Sequence, residues 1–150
     1  MHTTTIAFFI LRITIAYLFL SPLKKFILSW KNTVDMVRFL CPIQPQLMAV
    51  TMIIIMLVGS LSILFGFYGQ IGAFFLMLEC FLGYHLYDKY TKKIAMLQLS
   101  TQSSQDDQQI LKSAKGLGIM GNKTAGQKNL VIAAVLFFIM LIGTGPGSIT

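Results

Sequence analysis

The chain has 150 residues, of which 55% are hydrophobic and only 11% are charged, and its mean hydropathy is +0.74. Because about a quarter of the residues of a soluble domain are charged, these values exclude an ordinary soluble protein and indicate a single polytopic membrane domain. The net charge of +7 is then expected to set orientation and to contact lipid headgroups, not nucleic acid.

The first apolar segment covers residues 4–23, which is ~30 Å of helix and enough to cross a bilayer. Arg12 interrupts the segment and no basic region precedes it. It is therefore predicted to be a retained span, not a cleaved signal peptide. Pro22 and the pair Lys24–Lys25 are expected to end it.

An amphipathic pattern follows over residues 24–41. Its apolar residues recur at helical spacing and are Phe26, Trp30, Val34, Val37 and Cys41. Its charged residues fall on the other side and are Lys24, Lys31, Asp35 and Arg38. This pattern predicts a helix in the membrane interface, with Trp30 at headgroup depth. The alternative is a soluble helix that packs on the long polar loop.

Residues 47–68 and 70–87 are predicted to be the second and third spans. Only Gly69 and Gln70 connect them, so the two spans should form an antiparallel hairpin. Gly59, Ser62 and Gly66 share one face of the second span, where small side chains let a neighbouring helix approach closely.

The fourth span is predicted over residues 129–145. Residues 88–128 before it are rich in Gln, Ser and Lys and are predicted to be a mobile polar loop. The fold class is therefore all-α: a four-transmembrane-helix bundle with an interfacial amphipathic helix after the first span.

Charge distribution gives an orientation. With four crossings, residues 24–46 and 88–128 share one side of the membrane and hold eleven of the twelve Lys and Arg residues. The positive-inside rule therefore predicts that both regions are cytoplasmic and that both termini lie outside.

Two opposite charges lie within the predicted spans. Arg12 is about eight residues beyond Thr4, or ~12 Å into the membrane, and Glu79 is about nine residues beyond Gln70, or ~13.5 Å. A charge at this depth costs roughly 2.5–3.5 kcal/mol on insertion scales. We therefore expect the two side chains to pair inside the bundle, which would keep the carboxyl group of Glu79 ionised. Without a partner, that carboxyl group should hold a proton instead.

Small or polar residues one or two turns away are candidates for lining the same pocket: Thr5, Ala16, Gly72 and Gly83. Two interpretations of the pair stay open. It fixes the helix register, or it marks a pocket that holds a quinone head group, a proton path or an anionic solute.

Aromatic residues lie near the predicted cytoplasmic end of the third span. Tyr84, His85 and Tyr87 are expected, with Trp30, to be interfacial residues. No second histidine lies at membrane depth, so no metal or haem ligand set is predicted.

Three stretches resemble the DoxX family of small membrane proteins. They are LRITIAYLFLSPLKKF at residues 11–26, GSLSILFGFYGQIGAFF at residues 59–75 and KNLVIAAVLFFIMLIGTGPGS at residues 128–148. The resemblance implies a four-helix bundle in the cytoplasmic membrane of a prokaryote. It also implies an association with membrane redox complexes, with quinone as a possible cofactor.

Three functions are consistent with these features of the sequence. The first is a membrane subunit of a quinone-linked redox system that works with a partner subunit. The second is a non-catalytic scaffold that recruits a partner through its basic cytoplasmic regions. The third is a carrier of protons or small solutes that uses Glu79, although no inverted repeat or broken helix is evident.

Overall fold

The computed structural model describes residues 2–98, 105–143 and 145. These residues form five α-helices, namely α1 (His2–Leu28), α2 (Trp30–Arg38), α3 (Pro45–Phe65), α4 (Gly69–Ala95) and α5 (Gln105–Ile142). Four of them, α1, α3, α4 and α5, are long and apolar enough to cross a membrane. The predicted fold class, an all-helical polytopic membrane protein, is confirmed.

The first span is longer than the sequence indicated. α1 continues past Pro22 and the two lysines to Leu28, five residues beyond the expected end at residue 23. Membrane helices tolerate a proline because neighbouring groups compensate for the one lost backbone hydrogen bond. Leu23, one residue further on, is buried in the main core, and this packing holds the last turns in place.

The amphipathic segment forms α2, and its apolar face packs against the protein. Val34 and Val37 are buried against Ala49 of α3. Thr33 donates a hydrogen bond to the carbonyl oxygen of Phe26 over 2.9 Å, which fixes the bend between α1 and α2. The opposite face carries an exposed ion pair between Asp35 and Arg38 at 3.0 Å.

The carboxyl end of α2 is attached to α4. Lys89 Nζ donates to the carbonyl oxygen of Phe39 over 3.1 Å. Lys93 Nζ lies 4.5 Å from the centre of the Phe39 ring, and Tyr90 packs on the same ring with the centroids 4.7 Å apart. These contacts hold α2 across the end of the helix bundle.

The predicted hairpin of the second and third spans is present as α3 and α4. Gly66 ends α3 in the left-handed region with φ 70°. The Phe67 amide donates to the Ser62 carbonyl and the Gly66 amide to the Ile63 carbonyl, which satisfies the end of the helix. Tyr68, at φ 48°, completes the turn into α4.

The two helices of this hairpin approach very closely. A Cβ atom added to Gly72 would lie 2.9 Å from the Gly59 carbonyl oxygen and 2.9 Å from Ser62 Cβ. One added to Gly59 would lie 2.8 Å from Leu76 Cγ. The small face predicted on the second span is therefore the surface on which α4 packs.

The predicted mobile loop over residues 88–128 requires correction. α4 runs through Ala95 and α5 begins at Gln105, so most of this stretch is helical; residues 99–104 lie outside the described residues. The two helices pack as an antiparallel pair in which Ile94 contacts Gly118 and Tyr84 contacts Gly126. Glycine lets polar helices approach closely, so packing here overrides a composition that is poor in apolar residues.

The spanning helices pack in the order α1, α3, α4, α5. α1 packs on α2 and α3, and no Cα atom of α1 lies within 8 Å of a Cα atom of α4 or α5. Side chains fill the middle of the assembly, where Ile15 and Phe19 of α1 share a core with Leu76 of α4 and Leu136 and Ile139 of α5.

A carboxylate cavity between the helices

Arg12 lies on α1 and contacts the end of the chain. Its Nη2 donates to the carbonyl oxygen of Gly145 over 3.2 Å. Phe8, one turn earlier on α1, also packs beside Gly145. The guanidinium is therefore directed to the region that follows α5, next to the amino-terminal half of α1.

Glu79 lies on α4 and faces the interior. Its Oε1 is buried and has no hydrogen-bond partner among the described residues. The ion pairs among those residues are Asp35–Arg38 and Asp88–Lys92, and neither includes Glu79. An unpartnered buried carboxyl oxygen is costly, so it calls for a ligand, a water molecule or a proton.

The structure does not bring Arg12 and Glu79 together, although counting residues gave them nearly the same depth. Depth fixes a position along the membrane normal but says nothing about lateral neighbours. No Cα atom of α1 lies within 8 Å of a Cα atom of α4, and the Arg12 guanidinium donates to the carbonyl oxygen of Gly145 instead.

A cavity of about 270 Å³ surrounds the Glu79 side chain. All five helices contribute to its wall, and most of that wall is apolar. The residues that line it include Leu18, Met36, Val37, Met52, Met56, Glu79, Leu82, Gly83 and Asn129. A small apolar cavity with a few polar groups is the usual form of a ligand site.

Asn129 is a site residue that the sequence did not single out. It lies on α5 at the cavity wall, and its carboxamide occupies the space where a side chain on Gly83 would be. Gly83 lies one turn beyond Glu79 on α4, and the amide group of Asn129 and the carboxyl group of Glu79 line the same cavity. Asn129 could be recognised as a site residue only from the packing of α5 on α4.

Methionine forms much of the wall opposite Glu79. Met48, Met52 and Met56 follow each other along one face of α3, and Met36 of α2 joins them. Methionine side chains are flexible and polarisable, so they adapt to ligands of irregular shape. This wall suits a flat or branched apolar molecule better than a small hydrated ion.

A second, larger groove of about 570 Å³ lies between α3 and α4 near their turn. Its wall includes Ile54, Phe65, Tyr68 and Phe75, and none of its described lining residues is acidic or basic. Such a surface at membrane depth is suited to contact with acyl chains. The Glu79 cavity is therefore the better candidate for a specific site.

Comparison with protein families matches residues 7–85 to DoxX, which is more than half of the 150-residue chain. The chain belongs to the DoxX family. No curated protein and no solved structure matches it. The DoxX match begins in α1 and ends in α4 at His85, so it includes Glu79 but not Asn129.

The other residues singled out in this DoxX protein are spread over the structure. Ala16 is buried in α1, and Thr5 lies on an exposed side of the same helix. Gly72 is part of the α3–α4 contact. Of the predicted pocket-lining residues, Gly83 alone lines the Glu79 cavity.

The predicted interfacial residues surround the end of the bundle that carries α2. Trp30 begins α2 and is 38% exposed; its place at headgroup depth stays a prediction. His85 is exposed. Tyr84 and Tyr87 also pack on Gly126 of α5, so they take part in the α4–α5 contact.

Proposed function

We propose that this DoxX protein is the membrane subunit of a redox system and that the Glu79 cavity takes the head group of a quinone. The observation that carries the proposal is the buried, unpartnered Oε1 of Glu79 in a largely apolar cavity at membrane depth. A quinol hydroxyl group can donate a hydrogen bond to that oxygen, and the Asn129 amide can donate to a quinone carbonyl oxygen.

A partner subunit would supply the electron donor, since the proposed role of this chain is to bind and orient the quinone. The carboxyl group of Glu79 can accept or release the proton that accompanies reduction or oxidation of the ring. The methionine wall would contact the apolar face of the ring and the start of its side chain.

Binding of a short-chain benzoquinone tests the proposal. Trp30 is the only tryptophan of the chain, so quenching of its fluorescence in mild detergent gives a direct titration. Glu79→Gln keeps the shape of the side chain and should weaken binding about 2–10-fold, as expected for loss of one hydrogen bond. Arg12→Gln should bind the quinone like the wild type, because the Arg12 guanidinium contacts Gly145 and not the cavity. Equal affinity in wild type and Glu79→Gln, or no binding by either, would contradict the proposal.

A cytoplasmic scaffold role is the second candidate, and the length of α5 favours it. The helix has 38 residues, or ~57 Å, whereas a bilayer core is ~30 Å thick. Ile110, Leu117 and Met120 are 67–74% exposed on its amino-terminal half, next to lysines 112 and 123. Such a surface is suited to a partner with an acidic, partly apolar face.

Charge reversal tests the scaffold role. Lys112→Glu together with Lys123→Glu should abolish co-purification of a partner that copurifies with wild-type protein. Lys115 is unsuitable for this purpose, because its Nζ donates to the Leu97 carbonyl oxygen over 2.7 Å and ties α5 to α4. If the same proteins copurify with wild type and with the double variant, the scaffold role is refuted.

We also infer that the protein lies in the cytoplasmic membrane of a prokaryote, with both termini outside. On the cytoplasmic side lie α2 and the α4–α5 extension, which consists of residues 88–95 of α4 and 105–128 of α5. The positive-inside rule supports this orientation, because eleven of the twelve cationic side chains belong to residues 24–46 and 88–128.

A further inference from the structure

Several of the side chains that line the Glu79 cavity are themselves buried. On the side of α2, Met36 and Val37 form the floor, and the Lys89 contact with Phe39 holds that helix in place. On the opposite side, Phe19 and Met56 belong to the main core and are at most 8% exposed.

The cavity is less protected on one lateral side. Leu18 of α1 and Leu82 of α4 both line it, yet they are 45% and 39% exposed. Leu18 belongs to α1, none of whose Cα atoms lies within 8 Å of a Cα atom of α4 or α5. Leu18 lies about 14 residues into the first span and Leu82 about 12 into the third, or ~21 and ~18 Å, so both are at membrane depth.

We propose that the opening beside α1, bordered by Leu18 of α1 and Leu82 of α4, is a lateral entrance from the hydrocarbon of the bilayer to Glu79. The ligand of this cavity is then a membrane-dissolved, uncharged molecule with an apolar body and a polar end that hydrogen-bonds to the carboxyl group of Glu79. A hydrated ion or a water-soluble anion would have to cross lipid to reach the same entrance, so these ligand classes are excluded.

The chemistry inside the cavity agrees with an uncharged ligand. Among the residues that the structure describes, no cationic side chain lines the cavity, and neither ion pair includes Glu79. A carboxylate without a partner is costly in apolar surroundings. Glu79 is thus expected to present a carboxyl group that both donates and accepts hydrogen bonds.

The entrance rests on the proposed function only for the identity of the ligand, and it can be tested without any ligand. Dicyclohexylcarbodiimide dissolves in lipid and reacts with carboxylic acids that face the membrane interior. The carboxyl oxygen bonds to the carbodiimide carbon, the carboxyl proton moves to a nitrogen atom, and an acyl shift yields a stable N-acylurea. Its water-soluble counterpart, the dimethylaminopropyl ethyl carbodiimide, reaches only carboxyl groups exposed to water.

The experiment uses the full-length protein in liposomes of neutral lipid, with peptide mass spectrometry as the readout. The lipid-soluble reagent should label Glu79, and the water-soluble one should label the exposed aspartates but not Glu79. The signal at this position should be absent in Glu79→Gln. Failure of the lipid-soluble reagent to label Glu79, or labelling by the water-soluble reagent, would overturn the proposal.

Variants at the entrance identify the route. Leu18→Trp and Leu82→Trp should slow labelling several-fold, because the larger side chains narrow the opening. Leu18→Ala and Leu82→Ala should speed it up. Val131→Trp is the matched control, since Val131 is 66% exposed on α5 and does not line the cavity; its labelling rate should equal that of wild type. If the entrance variants are labelled at the control rate, the lateral route is refuted.

The two proposals fail in different ways. Labelling that depends on Leu18 and Leu82, combined with no quinone binding, would retain the entrance and reject the redox function. Quinone binding that depends on Glu79, combined with a labelling rate that is unchanged in the Leu18 and Leu82 variants, would support the function and reject the entrance.

Discussion

Replacement of Gly72 by alanine should destabilise the protein, because α3 and α4 leave no room for a methyl group at this position. The added Cβ would lie 2.9 Å from the Gly59 carbonyl oxygen and 2.9 Å from Ser62 Cβ. Neither neighbour is the end of a flexible side chain, so the two helices must separate. Overpacking of this kind costs about 1–3 kcal/mol.

Gly116→Ala is the matched control. Gly116 is also in a helix, and a Cβ atom there would meet nothing within 4 Å. Alanine is better than glycine in a helix interior by about 0.8–1 kcal/mol, so this variant should be unchanged or more stable. Since the chemical change is the same in both variants, the difference between them isolates the steric cost at the α3–α4 contact.

Unfolding in mixed micelles, followed by the helical circular dichroism signal as denaturing detergent is added, gives the comparison. We expect Gly72→Ala to unfold at a lower fraction of denaturing detergent than wild type, and Gly116→Ala at the same or a higher fraction. If both variants unfold at the same fraction of denaturing detergent, the close approach of α3 and α4 at Gly72 is refuted.

Two further predictions concern the end of the bundle that carries α2. Lys89→Met removes the hydrogen bond to Phe39 and should speed amide hydrogen exchange in α2. Lys92→Met is the control and should leave this exchange unchanged, because the ion pair of Lys92 joins exposed positions within α4. Equal exchange rates in both variants would contradict the role of Lys89 in holding α2. An impermeant thiol reagent should label the partly exposed Cys41 only from the cytoplasmic side, whereas the buried Cys80 should stay unmodified. Labelling of Cys41 from outside would contradict the proposed orientation.

Much of the fold follows from hydropathy and turn length. The four apolar segments were recognisable because each is long enough to cross a bilayer, and the connection at Gly69–Gln70 is short enough to require a hairpin. The amphipathic spacing of Val34 and Val37 predicted the buried side of α2, which packs on Ala49.

The α4–α5 extension was not predictable in the same way. Its helices are rich in Gln, Ser and Lys, so neither shows the apolar period that identifies a helix. They are stabilised by packing between distant parts of the chain, as at Gly118 against Ile94 and Gly126 against Tyr84. A sequence does not reveal such pairing without knowledge of which helices are neighbours.

The site shows the same division. The sequence identifies Glu79 as a costly charge inside a span, and the structure places it in the cavity. The order in which the spans pack determined the rest: it separated Arg12 from Glu79 and brought Asn129 next to Gly83. Depth along a helix was predictable, but lateral neighbours were not.

Photoaffinity labelling with an azidoquinone tests most directly whether the Glu79 cavity is the ligand site. The account predicts that adducts map to cavity residues such as Met52, Met56 and Leu82, and that an excess of unlabelled quinone suppresses them. Adducts confined to the α3–α4 groove around Phe65 and Phe75, or spread without preference over lipid-facing positions, would contradict it.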